Sequence, residues 1–211
     1  PRSGNSLLRS LLERCSGIRT GSDALRDAPL SKDLAAFGLE GEGVTDGRVW
    51  LVKSHWPERR GGAEVPIHGA VLVVRNPFDA LDSYFNFVLT RTHTRSVAAA
   101  EYARLSQEWQ AMVTREVAIW ANFHRYWLGR RTPLMAIRYE DLLDTERRAE
   151  TLQLVCAFLC ARASPAEGAS REAAAAALRG MLDRVESAAK ESAEAEAKAV
   201  AKAAGAEAGA E

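Results

Sequence analysis

The hydrophobic pattern of the 211-residue chain divides into short apolar runs and longer stretches with a helical period. The clearest short run, 69–74, is mostly β-branched and predicts a strand buried on both faces inside a parallel sheet. Two further runs, 48–52 and 133–138, predict strands as well. Apolar residues spaced by threes and fours predict helices over 7–12, 81–88, 96–130 and 152–159. The pattern therefore predicts an α/β protein.

Polar residues follow the central run at once. Arg75 and Asn76 come first, and Pro77 has the fixed φ that suits the first position of a helix. Ser83 lies two turns into that predicted helix. Because ligands of open α/β sheets bind at the carboxyl ends of the strands, Arg75 with Ser83 predicts an anion site. A loop-closing arginine beside an ordinary surface serine explains this stretch equally well.

The first six residues form a loop rich in small residues that runs into a helical stripe beginning at Leu7. We expect Asn5 or Ser6 to cap this helix. A loop of this kind directs backbone N–H groups and a positive dipole end toward an anion, and Arg2 and Ser3 could add donors. It is not a Walker A loop, because no Gly-Lys-Ser/Thr follows. Taken alone, the loop is better explained as a plain capped helix start.

A second polar cluster follows the run 48–52. If that strand is parallel to the central one, Lys53 and His55 lie on the same sheet edge as Arg75, and residues two apart point the same way. Histidine is the side chain best suited to accept a proton near neutral pH. The alternative is a surface histidine in a turn that ends at Pro57.

Composition restricts the possible ligands. The chain has 28 basic and 28 acidic residues and so no global field that would attract nucleic acid or an anionic membrane. A phosphate ligand must therefore be met by a local site. The 3 cysteines are too few and scattered for a disulfide framework, and no metal-ligand spacing appears. No apolar run has membrane length.

The composition changes after Arg162. Residues 163–211 are dominated by Ala, Glu, Lys and Arg and can bury little apolar area, which predicts a helical or disordered tail. We therefore assign the chemistry to a domain over 1–162. The irregular stretches 17–47 and 90–96 are expected to shape an acceptor pocket, but their residues do not indicate which acceptor would bind.

Taken in order, these motifs resemble a known family. Arg-Ser-Gly-Asn-Ser, Lys-Ser-His, Val-Arg-Asn-Pro and Arg-Tyr-Glu-Asp-Leu resemble the sulfotransferases that use 3′-phosphoadenosine 5′-phosphosulfate (PAPS), and among them the WSC-domain-containing subfamily. The resemblance covers 1–159. It implies a three-layer, P-loop-like fold with a central parallel sheet flanked by helices. It also implies transfer of a sulfonyl group from PAPS to an acceptor hydroxyl of a small molecule or glycan, with no metal.

The resemblance also implies site residues. Arg75 and Ser83 would hold the 3′-phosphate of PAPS, and Tyr139 would lie near the nucleoside. Lys53 and His55 match a Lys-x-His motif in which the histidine takes the proton of the acceptor. The loop that holds the 5′-phosphosulfate would comprise Arg2, Ser3, Gly4, Asn5, Ser6 and Leu7.

Two departures from the family pattern are visible. Many cytosolic members carry lysine at the position of Arg2, where arginine would act as an electrostatic clamp rather than a proton donor. The chain also lacks the late Gly-x-x-Gly with which many cytosolic members close over the nucleotide.

The alternative function is a non-catalytic nucleotide-binding or interaction module that retains the fold. A P-loop kinase is a weaker alternative, because the Walker lysine is absent.

The resemblance bears on location and completeness as well. It implies a Golgi membrane protein, with a cytoplasmic location as the alternative. Because the loop at Pro1 is typical of the middle of a strand–loop–helix unit, we expect a first strand upstream of Pro1, in a segment that could also hold a membrane anchor.

Overall fold

The computed structural model describes residues 2–23, 38–57, 67–92 and 95–162, with the single positions 180, 183 and 187. The predicted tail over 163–211, apart from those three positions, and residues 24–37 of the irregular stretch 17–47 lie outside these residues. The strands are β1 (Gly21–Ser22), β2 (Val52–Lys53), β3 (Ala70–Val74) and β4 (Leu134–Arg138). The helices are α1 (Asn5–Ser16), α2 (Pro77–Thr90), α3 (Ala99–Arg104), α4 (Ser106–Leu128), α5 (Tyr139–Leu143) and α6 (Thr145–Arg162).

The strands form two parallel pairs. β1 pairs with β2, and β3 pairs with β4 over five residues, from Ala70 opposite Leu134 to Val74 opposite Arg138. Both pairs are parallel, but within the described residues β2 and β3 belong to different sheets, so a single central sheet stays a prediction. The strands predicted at 69–74 and 133–138 are each correct to within one residue.

Two details of the predicted strands are wrong. The strand predicted over 48–52 is reduced to Val52–Lys53, because a turn extends to Val49, whose N–H donates to the Asp46 carbonyl at 3.1 Å. β3 is not buried on both faces, since only Leu72 is fully buried. β3 pairs with β4 along one edge, and a cavity adjoins the strand.

The main core joins α1 to the second strand pair and α6. Its centre is built from Leu8 and Leu12 of α1, which pack with Ile137 of β4 and Leu152 and Val155 of α6. The predicted stripe of α1 is thus confirmed, and its burial fixes the start of the helix over the carboxyl ends of the strands.

A second packed region joins α2 and α4. Phe85 contacts Tyr102 and Trp109 with ring centroids 5.2 and 5.0 Å apart. The predicted division of 96–130 into more than one helix is confirmed. Val117, which the stripe placed in the core, is instead 45% exposed, while Met112 and Glu116 are buried. No helix within the described ranges is long and apolar enough to cross a membrane.

Candidate functional site

The start of α2 is defined by its own sequence and by one distant carboxylate. Asn76 caps the helix by accepting a hydrogen bond from the Phe78 N–H at 3.0 Å, and Pro77 takes the first helical position, as predicted. The Asn76 N–H donates to Glu140 Oε1 at 3.0 Å. This bond is the largest cause of a lowered pKa of the Glu140 carboxyl. The turn that carries Arg75 is therefore held from both sides.

Arg2, Arg75 and Ser83 meet in a group that we call the arginine cluster. Arg2 Nε donates to Ser83 Oγ at 3.0 Å, and Arg75 Nη1 donates to the Arg2 carbonyl at 2.8 Å. The Arg75 guanidinium lies over the Tyr139 ring, 4.4 Å from its centroid. The three residues predicted for the 3′-phosphate and the nucleoside therefore share one place, and Arg2 joins them there.

The positively charged Arg2 side chain of this cluster is partly buried. Burial, and after it the charge of Arg75, lowers the pKa of the Arg2 guanidinium from its ordinary value. Arg2 also has a φ of 65°, a left-handed conformation that is uncommon for arginine. Two neighbouring guanidinium groups repel each other, so an anion bound between them would be stabilised.

A small polar cavity of about 280 Å³ adjoins the arginine cluster. Its walls include a third arginine, Arg95, and two acidic residues of α2. The lining residues are Arg2, Arg75, Asp79, Asp82, Ser83, Asn86, Phe87, Thr92, Arg95 and Ser96. Three of them are predicted site residues, and three more, at 92, 95 and 96, lie in the stretch 90–96 that was expected to shape an acceptor pocket. Asp79, Asp82, Asn86 and Phe87 were not predicted. The spacing of Asp79, Ser83 and Phe87 by four residues places them on one face of α2. This spacing could have predicted part of the cavity wall.

Gly4 links the loop to Tyr139. Contrary to the prediction, the N-cap of α1 is Gly4 rather than Asn5 or Ser6, with a φ of 88° and no side-chain capping bond. A Cβ at this position would lie 2.2 Å from Tyr139 Cδ2. Glycine is needed here for both the backbone conformation and the space. Asn5 and Ser6 thus lie in the first turn, and their side chains contact other groups.

Those groups are Lys53 and His55, which we call the basic pair. Asn5 Nδ2 lies 3.4 Å from His55 Nε2, and Lys53 Nζ donates to Ser6 Oγ at 3.3 Å. The first turn of α1 therefore contacts Lys53, the last residue of β2, and His55, which lies two residues further on. Asn5 and Ser6, which were predicted to belong to the phosphosulfate loop, thus contact the end of this strand as first-turn residues of α1.

The basic pair faces a second and larger cavity, of about 700 Å³. Beside His55, Trp56 Nε1 donates to the Tyr126 hydroxyl at 2.9 Å, and Trp127 Nε1 donates to the Trp56 carbonyl at 3.0 Å. These bonds connect the end of β2 to α4 and place aromatic rings next to the histidine. Composition and spacing did not indicate this contact, because the two tryptophans are far apart in sequence.

The two remaining predicted residues of the loop, Ser3 and Leu7, differ in their surroundings. Ser3 lines the large cavity. The Leu7 side chain packs against the hydrophobic core, so only its backbone N–H, one of the unpaired first-turn donors, is left to serve an anion.

Comparisons with known proteins relate the chain to one family. It is 32% identical over 155 residues to WSCD family member GA21586 of Drosophila pseudoobscura pseudoobscura and 32% identical over 156 residues to WSCD family member CG9164 of Drosophila melanogaster. Each match covers 72% of this chain and 46% of the relative. WSCD family member AAEL009094 of Aedes aegypti is 31% identical over 162 residues, which are 75% of this chain and 48% of that protein. The chain is similar to WSCD family members.

This similarity supports the predicted relationship to WSC-domain-containing proteins. The chain spans about half the length of the relatives it matches. No family model and no solved structure matches it.

Proposed function

We propose that this chain carries a sulfotransferase site that transfers a sulfonyl group from PAPS to an acceptor hydroxyl, which a carbohydrate could supply. The observation that carries the proposal is the junction at α1: its preceding loop joins the arginine cluster, and its first turn joins the basic pair. One element thus connects an anion-binding group to a candidate base. The similarity to WSCD family members and the ordered motifs support the same assignment.

The residues present fit the two anionic ends of PAPS. The arginine cluster offers two guanidinium groups and a hydroxyl to a phosphate, and arginine is the side chain best suited to bind phosphate by paired hydrogen bonds. The backbone N–H groups at Asn5, Ser6 and Leu7 have no partner within α1 and face the positive end of its dipole. These groups would hold the phosphosulfate. Tyr139, stacked under Arg75, would contact the nucleoside.

PAPS, when bound, supplies the sulfonyl group and a good phosphate leaving group. His55 would accept the proton of the acceptor hydroxyl as the oxygen bonds to sulfur, because its Nε2 lies at the junction beside Asn5. Lys53 would stabilise negative charge that develops on the departing phosphate, because its ammonium group lies beside Ser6 in the first turn of α1. Positioning and charge stabilisation would do most of the catalytic work, as they do in phosphoryl transfer.

The surroundings of His55 suit an acceptor better than a second anion. Trp56, Tyr126 and Trp127 form an aromatic wall beside the histidine, and the large cavity there is mainly apolar. A sugar ring or an apolar alcohol could pack against such rings. The assignment of the protein to the Golgi membrane is part of this proposal and rests on the family resemblance.

Transfer of radiolabelled sulfonyl groups from PAPS to panels of glycans, phenols and alcohols tests the proposal directly. Binding of 3′-phosphoadenosine 5′-phosphate should be measured on the same protein by calorimetry. Turnover with at least one acceptor class would support a sulfotransferase. Nucleotide binding without turnover on any acceptor would favour the non-catalytic module, and the absence of both would contradict the assignment of the site.

A further inference from the structure

One carboxylate in the stretch of chain between β1 and β2 is almost completely buried. The Glu42 side chain is 7% exposed, and its Oε2 accepts a hydrogen bond from Ser22 Oγ of β1 at 2.8 Å. Its Oε1 accepts from Nη1 of Arg9 in α1, a side chain that is only 1% exposed. Buried charges in proteins are nearly always paired, and Glu42 meets this condition through two different elements.

The backbone around Glu42 lies directly against the entry to β1. A Cβ at Gly41 would lie 2.0 Å from the Thr20 carbonyl oxygen, so glycine is needed for this close approach. On the other side of Glu42, the Gly43 N–H donates to Ser22 Oγ at 3.2 Å. The carboxylate is therefore held at a defined place beside β1.

Arg9 is anchored by further bonds that do not involve Glu42. Its Nε donates to Thr20 Oγ1 at 2.8 Å, and its Nη2 donates to the Thr20 carbonyl at 3.2 Å. Glu13, one turn later in α1, accepts from the Thr20 N–H at 2.8 Å. Arg9 is thus a fixed counter-ion, because its bonds to Thr20 leave the guanidinium little freedom to move away from the carboxylate.

Glu42 is also close to Lys53, the residue of the basic pair that ends β2. Ser22, which donates to Glu42, lies opposite Lys53 in the parallel register of β1 and β2, and residues in this relation point to the same face of the sheet. Burial would raise the pKa of the Glu42 carboxyl, but the hydrogen bonds and charges of its neighbours lower it below its ordinary value. The charge of Lys53 is one of these. A carboxylate therefore lies near Lys53, in addition to the hydroxyl of Ser6.

Positive charge accumulates around the start of α1. Lys53 Nζ donates to Ser6 Oγ in the first turn, where the helix dipole is positive, and Arg9 lies about one turn later. The first turn itself contains no acidic residue. Like charges disfavour the ammonium form of a lysine, whereas a nearby carboxylate favours it. Glu42 offsets the positive charge from behind the site, since it is not among the lining residues of either cavity.

We propose that Glu42 is a positioning residue for Lys53. Its carboxylate keeps the Lys53 side chain protonated and directed at the first turn of α1, and Arg9 holds the carboxylate in place. The inference rests on the proposed function, in which Lys53 stabilises the charge of the departing phosphate. Glu42 acts only through Lys53 and contacts neither donor nor acceptor.

Glu42→Gln removes the charge but keeps the shape of the side chain, and an amide can still bond to Arg9 and Ser22. The titration midpoint of the Lys53 ammonium, followed by NMR of labelled lysine and assigned with Lys53→Arg, should fall by roughly 0.5–2 pH units. The alkaline limb of the pH profile of kcat should move down by the same amount, while KM for PAPS changes little.

Glu40→Gln is the matched control. Glu40 lies in the same stretch, but its side chain is 69% exposed and pairs with Arg19 on the surface at 2.9 Å. This variant should shift neither the midpoint nor the alkaline limb. The other charged or titratable groups on the elements around Lys53 are the same in both variants: Arg9 of α1, Asp23 after β1 and His55 after β2.

An unchanged Lys53 midpoint in Glu42→Gln, or an equal shift in both variants, would overturn the proposal. The midpoint is measured without PAPS, so this outcome is distinct from a failure of the proposed function. A shifted midpoint in a protein that transfers no sulfonyl group would support the coupling of Glu42 to Lys53 and contradict the proposed function.

A reciprocal variant guards against a Glu42→Gln protein that folds poorly. Lys53→Gln leaves the buried pair of Arg9 and Glu42 intact. Because the coupling of two charges is mutual, the titration midpoint of the Glu42 carboxyl should rise in this variant. NMR of labelled glutamate measures it, and the absence of a rise would contradict the proposal.

Discussion

The arginine cluster and the basic pair lie on either side of the start of α1, yet they have opposite surroundings. The arginine cluster adjoins a small polar cavity with a third arginine and two acidic residues in its wall. The basic pair faces a large apolar cavity and a wall of aromatic rings. The first arrangement suits an anion that must be held, and the second suits a neutral acceptor that must lose a proton. The contrast suggests that binding and chemistry are divided between the two regions.

The largest effect is expected from a change of His55, which should alter turnover but not nucleotide binding. His55→Ala should lower turnover by about 10²–10⁴-fold, the range typical of losing a general base, while 3′-phosphoadenosine 5′-phosphate binding stays nearly unchanged. Steady-state kinetics and calorimetry measure the two quantities. Gln107→Ala is the control, since Gln107 is exposed in α4 and is not among the lining residues of either cavity. Near-normal turnover of His55→Ala would remove the basic pair from the chemistry.

The complementary change removes charge from the arginine cluster. Arg75→Ala should weaken binding of 3′-phosphoadenosine 5′-phosphate roughly 10- to 100-fold, because a hydrogen bond to a charged group is lost. Binding of 5′-AMP, which lacks the 3′-phosphate, should hardly change. Calorimetry with both nucleotides makes the comparison.

Arg138→Ala is the matched control for charge, since Arg138 lies opposite Val74 in the neighbouring strand and its side chain is 64% exposed. The same loss of affinity for both nucleotides in Arg75→Ala would mean that Arg75 has a structural role only.

The third prediction concerns the element that joins the two regions. Gly4→Ala and Gly17→Ala both place a Cβ at a positive φ, of 88° and 69°, but only at Gly4 would it meet another side chain, that of Tyr139. We expect Gly17→Ala to cost about 1 kcal/mol of unfolding free energy, and Gly4→Ala about 1–3 kcal/mol more. Urea denaturation measures the difference.

Gly4→Ala should in addition weaken both nucleotide binding and turnover, because the loop and the first turn of α1 move together. Adding Tyr139→Ala should recover part of the lost stability. Equal destabilisation by the two glycine variants would show that the contact with Tyr139 is unimportant.

The smallest effect belongs to the wall of the small cavity. The Tyr102 hydroxyl donates to Asp82 and accepts from Asn86 Nδ2 at 2.8 Å, and both partners line that cavity. Burial, and after it the bond to Asp82, raises the pKa of Tyr102 from 10.0 to about 12. The folded state therefore favours the neutral phenol. The stabilisation that Tyr102 gains from its raised pKa is complete below about pH 10 and is lost as the pH rises through about 12.

Urea denaturation between pH 8 and pH 12 should show a steeper loss of stability in the unchanged protein than in Tyr102→Phe. Burial also raises the pKa of the Cys156 thiol to about 12, but that group is present in both proteins and cancels in the comparison. Parallel curves would mean that Tyr102 does not support the small cavity.

Local structure was predictable where it depends on near neighbours in the chain. The β-branched run before Arg75 and the Asn-Pro start of α2 were predicted nearly to the residue, because propensity and capping act over a few positions. The cap of α1 was not, because Gly4 is required by the ring of Tyr139, which comes from a distant part of the chain. The short β2 was also mispredicted, because the turn at Asp46 competes with the strand for Val49.

The sequence by itself determined the candidate side chains, since an arginine, a lysine or a histidine that follows an apolar strand is visible from the pattern alone. Only the tertiary structure decided which of them meet. Arg2 bonds to Ser83 across 81 positions, and Asn5 contacts His55 across 50. Hydrophobic periodicity reports which side of an element is buried, but it carries no information about the distance between two elements. That distance is set by the packing of α1 on β4 and α6, where contacts among many residues act together.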